Sequence, residues 1–357
     1  MVNVKQFFVA LLGLFIVLFL VYIYRTDSSS INDQSGIKIY ASGSFISDWG
    51  PGPELKKIFE TQTGFKVTFL EMSDPGLSLQ KINLAGIEND VDLVIGLDQY
   101  DLMRYSDRVE WKNIFDLQRI YPNISRLNNV FFEQPNYKKS GFENSFIPYD
   151  WSAISFVTKK ENALQIKKLD DLLKSDYKNK FGLQDPRTSS PGLQFLMWVV
   201  QSYSEEEAIE FLKKINTQTH SFSPSWTVSY GLFKNKSIDS VLSYITSPVY
   251  HLVEEKDSSY VALDFEAGLP LQIEFMGLLE QCKNCDLAKQ FIAFLQSSQA
   301  QKIIMNKNYM LPMDMNVVES TAFDTLKIYQ LLAFKFYSKE EINKWLSIWS
   351  EIRKNEG

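Results

Sequence analysis

The chain has 357 residues, of which 45% are hydrophobic and 14% aromatic, so it carries enough apolar surface to bury a large core in two lobes. That composition excludes a mainly disordered chain, and a formal net charge of −6 excludes the clustered Lys and Arg footprint that nucleic-acid binding needs. A modest acidic excess suits a soluble domain and a cationic ligand equally.

Residues 7–24 are uncharged, and as a helix they span about 27 Å, close to the ~30 Å of a bilayer core. The run exceeds the roughly 7–15 apolar residues of a cleaved signal peptide and lacks a small-x-small site, so residues 1–25 read first as an uncleaved signal anchor, with export on a cleaved signal peptide as the alternative. Residues 26–36 are polar and read as a flexible tether. The globular part then alternates strand and helix. "IKIYASGSF" is a short β-type run, and "DWGPGPELKKIFETQTG" holds a helix with Pro53 suited to its first position, an apolar face of Leu55, Ile58 and Phe59, and a stop at Gly64. "FKVTFLEM" has period two, "GLSLQKINLAG" is helical, and "VDLVIGLD" is a short buried strand. This order predicts an α/β lobe with much parallel sheet.

"FIPYDWSAISFVTKK" is a β-type segment with Pro148 at its entry, and a second lobe is expected after it. "QDPRTSSPG" precedes a long apolar helix, Ser204 and Glu207 make a capping box for the next, "SWTVSYGLFKN" is a third, and "IDSVLSYITS" is a strand. Gly268 and Pro270 suggest a crossing back between lobes. The chain ends with helices, the last opening at Ser338 with an apolar stripe of Ile342, Trp345, Leu346, Trp349 and Ile352. The division is therefore residues 37–148 with 270–357 for the first lobe and 149–269 for the second.

Ligands of open α/β sheets sit beyond the carboxyl ends of strands, where loops enter helices. Four such places carry polar groups. At "QDPRTSSPG", Ser189 and Ser190 either cap the helix or, with its free N–H groups, bind an anion; Arg187 either reaches that anion or pairs with Asp185. Trp226, at a helix start, either packs or offers its face to a cation. "LSYITSP" ends a strand with Tyr244, Ile245, Thr246 and Ser247, and "VIGLDQ" ends another with Asp98, a counter-ion or a solvated acid. Cys282 and Cys285, in "CKNC", read as a local disulfide, a free pair, or less simply as a redox site or half a zinc site. His220 and His251 stand apart from them and from each other. No Gly-rich phosphate loop, HExxH or GxSxG is present.

"SDWGPGPELKKIFE", "DVDLVIGLDQ", "FIPYDW", "QDPRTSSPGLQFLMW", "SWTVSYGLFKNKS", "VLSYITSPVYHLVEEK" and "NYMLP" together resemble, in order and spacing, the periplasmic thiamine-binding proteins of ABC importers. The resemblance covers about residues 37–353 and implies the type II periplasmic-binding-protein fold, with an inter-lobe ligand cleft. It implies Ser189, Ser190 and the Tyr244–Ser247 loop at the ligand's alcohol or phosphate end and Trp226 stacked on a ring. The family's first-lobe acid-Gly loop matches "MSDPG": Gly76 aligns, while Pro75 takes the acid's place and Asp74 lies one residue earlier. Ser42-Gly43 stands where the family has Tyr-Asp, and Tyr309 where it has Trp. Asp98 and Asp150 are the acids expected to compensate.

The expected function is capture of thiamine or its mono- or diphosphate in the periplasm, by a monomer tethered to the inner membrane, for delivery to ABC permease subunits. No cofactor, metal or nucleic acid is expected. The alternatives are a receptor for iron or a polyamine, and a thiaminase-like enzyme, which would need a cysteine nucleophile in the cleft.

Overall fold

A computed structural model describes residues 36–354, apart from 73–74, 87–89, 122 and 163–165. The anchor expected at 1–25, and all but the last residue of the tether at 26–36, lie outside the described residues. Among those described, no helix is long and apolar enough to cross a membrane.

Strand β1 (Ile37–Ala41) buries alternate side chains. It is followed by α1 (Gly52–Thr63), whose Leu55 and Phe59 turn inward and which stops at Gly64, φ 76°, in the left-handed region that glycine enters most readily. Next come β2 (Val67–Glu71), α2 (Pro75–Ala85) and β3 (Leu93–Asp98), with β1 parallel to both neighbours. Parallel pairing requires crossover connections, and the helices supply them. Asp98 ends β3 and caps α3 (Gln99–Tyr105).

The 14-residue β4 (Phe146–Lys159) leaves this sheet for a second. The second sheet is built with β5 (Phe181–Gln184), α4 (Ser190–Ser202), α5 (Glu205–Gln218), β6 (Ser221–Ser223), α6 (Trp226–Lys234), β7 (Ser240–Tyr244), α7 (Ser247–Glu254) and β8 (Tyr260–Ala262). Strand β9 (Leu271–Leu278) returns, followed by α8 (Cys285–Leu295), α9 (Ser298–Asn308), β10 (Leu311–Pro312) and α10 (Lys339–Lys354). The strands run β2-β1-β3-β9-β4-β7-β5-β6, with β8 and β10 also on β4. From Phe146 to Ala153, β4 pairs antiparallel with β9; from Ile154 it pairs with β7. The handover between sheets thus lies between Ala153 and Ile154, inside the strand whose entry Pro148 marks.

One core, including Ile39, Phe59 and Phe291, lies between the first sheet and α1 and α8. A larger one runs from the opposite face of that sheet into the second lobe, through Leu97, Phe156 and Trp198. Helix α10, grouped with the first lobe by chain order, packs its apolar stripe on the second: Trp349 lies 4.7 Å from Phe222, Arg353 donates to Asn216 at 2.6 Å, and Lys344 pairs with Glu205. The chain reaches it through residues 326–338, which form no helix and only an isolated bridge at Leu331, so no periodicity in the sequence signals that passage.

Cys282 and Cys285 are disulfide-bonded at the start of α8, which leaves no thiol there as a nucleophile. Because the closed loop is so short, reduction is expected to cost only about 2 kcal/mol and to leave ligand affinity unchanged. Urea unfolding and ligand titration with and without reductant check this.

Candidate functional site

The register of three adjacent strands sets three acids side by side. Asp98 on β3 is opposite Glu274 on β9, and Glu274 is opposite Asp150 on β4. Directly opposed residues project from the same face of a sheet, their Cβ atoms about 4.5–5.5 Å apart. Two irregularities flank the row: the register shifts between Ile95 and Leu97, where Gly96 has φ 94°, and again between Pro148 and Asp150. Such bulges re-aim side chains, and both lie within two residues of an acid.

Asp98 is 2% exposed and Asp150 fully buried. Asp98 Oδ1 accepts the N–H groups of Tyr100 and Asp101 at 2.8 and 2.9 Å. Asp150 Oδ2 accepts from Asn308 Nδ2 at 2.6 Å, and Glu274 accepts from the Tyr149 hydroxyl. Gln272, two residues along β9, donates to Tyr244 Oη at 3.0 Å and more weakly to Glu274 at 3.4 Å. Asp98 Oδ2, Asp150 Oδ1 and Gln272 Oε1 have no hydrogen-bond partner. Burial pushes the Asp150 carboxyl well above the usual carboxylate range, and the Glu274 charge adds to this against the Asn308 donor. Burial likewise raises Glu274 and Asp98; the Tyr149 donor offsets part of the rise at Glu274 while the Asp98 charge adds to it, and the backbone donors, the Ser190 hydroxyl and Arg104 offset only part of the rise at Asp98.

The second lobe supplies the facing wall. In "QDPRTSSPG", Arg187 forks onto Asp185, with Nε to Oδ1 at 2.9 Å and Nη2 to Oδ2 at 2.6 Å, while Thr188 donates to the Pro224 carbonyl at 2.7 Å. Arg187 therefore holds the loop. Ser189 is the N-cap residue of α4, yet its side chain makes no capping bond, and the Ser190 hydroxyl faces the Asp98 carboxyl from across the lobes. Ser189→Ala is accordingly expected to cost less stability than the about 0.5–2 kcal/mol of a lost cap; a loss in that range on urea unfolding would restore the capping role.

The half-buried Trp226 stacks on Tyr230 with centroids 4.6 Å apart, donates Nε1 to Ser243 Oγ at 2.8 Å, and lies 6.4 Å from the Tyr244 ring. Ser247 bonds Ser243 at 2.8 Å, and Thr246 lies 3.3 Å from Ser152 on β4. Ile245 is buried in the core, and its N–H donates to the Ala153 carbonyl at the handover, so this residue fixes the loop through its backbone.

Of the residues singled out from the sequence, Asp98, Asp150, Ser190 and Tyr244 are brought together, with Trp226, Thr246 and Ser247 beside them. Gly76 lies against the Tyr105 ring and accepts from Arg108. The Tyr309 hydroxyl donates to Glu254 at 2.8 Å, and its ring packs with Tyr250 and Phe323, outside the row. Asp74 lies outside the described residues. Sequence reading missed Glu274, Gln272, Tyr149 and Asn308. The signal for the first two was present in "LQIEF", where Gln and Glu alternate with apolar residues inside a strand expected to cross between lobes.

Two α/β lobes joined by crossing strands, with polar loops meeting over the strand ends, define the type II periplasmic-binding-protein class. Residues 54–329 match the family model described as bacterial extracellular solute-binding protein. The chain is 32% identical over 323 residues to the thiamine-binding periplasmic protein of Haemophilus influenzae, covering 88% of this chain and 92% of that one. It is 31% identical over 293 residues to that of Escherichia coli, covering 81% and 84%. A solved periplasmic thiamin binding protein superposes with a TM-score of 0.74 at 30% identity, over 88% of this chain and 95% of the other. A ferric binding protein from Campylobacter jejuni, TM-score 0.70 at 17% identity over 88% and 99%, shares the fold. The chain belongs to the bacterial extracellular solute-binding protein family.

Proposed function

We propose that this protein captures thiamine or a thiamine phosphate in the periplasm and delivers it, as a monomer, to the permease of an ABC importer. The observation that carries this reading is the row Asp98–Glu274–Asp150, whose two outer acids are buried with one unpartnered oxygen each and whose half-buried centre is Glu274, beside Trp226 and a wall of hydroxyls. Thiamine is a flat cation with a polar tail. Carboxylates and an aromatic face suit the rings, and Ser189, Ser190, Tyr244, Thr246 and Ser247 suit the tail, with the backbone of Ile245 holding their loop. The relatives named above bind thiamine by name, which supports the same ligand.

The lobes are proposed to divide near Ala153 on β4 and near Leu271 on β9, with α10 joining the second. Residues 1–25 are proposed as the membrane anchor, with the tether after them. Closure would follow from preferential binding of the ligand to the closed arrangement. Calorimetric titration of the purified protein with thiamine, its two phosphates, spermidine and ferric ion tests the ligand. Heat with spermidine or iron and none with the thiamine compounds would sink the assignment.

A further inference from the structure

We propose that the Asp98–Glu274–Asp150 row is a proton-exchanging cation seat: protons hold the three acids together until a cation enters, and its entry expels them to solvent. The inference rests on the reading above that the ligand is a cation held between the lobes.

Like charges directly opposed on neighbouring strands repel. Here three acids stand in register across β3, β9 and β4, the two outer ones at most 2% exposed and the central Glu274 half-buried. Acids so placed need either a cation or protons between them. Asp98 Oδ2 and Asp150 Oδ1 complete no hydrogen bond, the Ser190 hydroxyl facing Asp98 being a neutral group, and no Lys or Arg forms a salt bridge with any of the three among the described residues. The surrounding groups sharpen the case. On α3, Asp101 accepts the Asp98 N–H, adding a further acid, while Arg104 acts on Asp98 only through its field. From β4 and β7 come Tyr149 and Tyr244, whose phenols burial holds far above neutrality, so they stay uncharged. The other neighbours, the Asn308 and Gln272 amides and the Ser190 hydroxyl, are neutral.

Burial raises all three carboxyls above their unfolded values. The folded protein therefore binds more protons than the unfolded chain above the ordinary carboxylate range, and its stability falls as pH rises toward the folded values. A bound cation favours the ionised forms, so a carboxylic O–H gives up its proton to buffer as the cation takes its place. Affinity then rises with pH over the range in which the unliganded row keeps protons.

Two measurements test this. Titration with thiamine in phosphate and in Tris at one pH, repeated across pH, is expected to reveal about one proton released per ligand and an affinity that climbs up to about tenfold per pH unit. Glu274→Gln and Asp150→Asn, each close in shape to the residue replaced, should abolish the release and weaken binding about tenfold or more. Independently of any ligand, infrared spectra of the protein alone at neutral pH should contain a protonated-carboxyl stretch that these variants lose. Thiamine binding with no proton release and no such band overturns the seat while leaving the ligand assignment standing. A band together with stability that falls on raising pH, but no thiamine heat, supports the proton-holding row and sinks the ligand assignment instead.

Discussion

Trp226→Ala is expected to raise the Kd for thiamine about ten- to hundred-fold, a loss of about 1.5–3 kcal/mol. The indole is half-buried, stacked on Tyr230 and tied through Nε1 to Ser243, so one of its faces is already committed to the protein and its orientation is fixed before a ligand arrives. An aromatic face over a cation contributes about 0.5–2 kcal/mol, and the apolar area lost on truncation adds to that. Trp226→Phe keeps a ring but loses the bond to Ser243, so an intermediate Kd is expected. Titration calorimetry on the three proteins decides the matter; equal Kd values would remove Trp226 from the site and make it a packing residue between α6 and β7.

Trp349→Ala is expected to destabilise the protein by about 3–5 kcal/mol, the usual cost of truncating a large buried aromatic. Trp349 is 1% exposed, packs on Phe222, and belongs to the stripe that fastens α10 to the second lobe. Its position far along the last helix makes the test specific. Urea unfolding should move to lower denaturant, and limited proteolysis should cut first near residues 326–338, the segment leading into α10. An unchanged midpoint would show that α10 contributes little to the second lobe.

Much of the architecture could be read from local pattern. Gly64 after an amphipathic run, the Ser204–Glu207 box and the period-two strands each follow from one element's own chemistry. The carboxylate row could not be read that way. Asp98, Asp150 and Glu274 are far apart in sequence and meet only through β3-β9-β4 pairing, and two bulges set their aim. Asp98 and Asp150 were visible as acids at a strand end and in a crossing segment; Glu274 was visible only to a reading that asked why an acid interrupts an apolar strand. The placement of α10 was hidden for a different reason. Amphipathicity reports that a face is buried, and not against which neighbour.

The loop at "QDPRTSSPG" bears on how tightly a ligand can be held. With Arg187 forked onto Asp185, Thr188 bonded to Pro224, and Gly192 so close to the Gln184 carbonyl that a Cβ there would stand 2.5 Å from its oxygen, little of this loop is left to order. A ligand tail arriving at Ser189 and Ser190 meets donors already in position, so the conformational entropy of the loop was lost during folding and is not charged against binding. It also meets dipoles instead of a mobile cation. Adding phosphate to the tail should therefore change affinity modestly, and selectivity among thiamine and its esters would come from room at the end of the cleft.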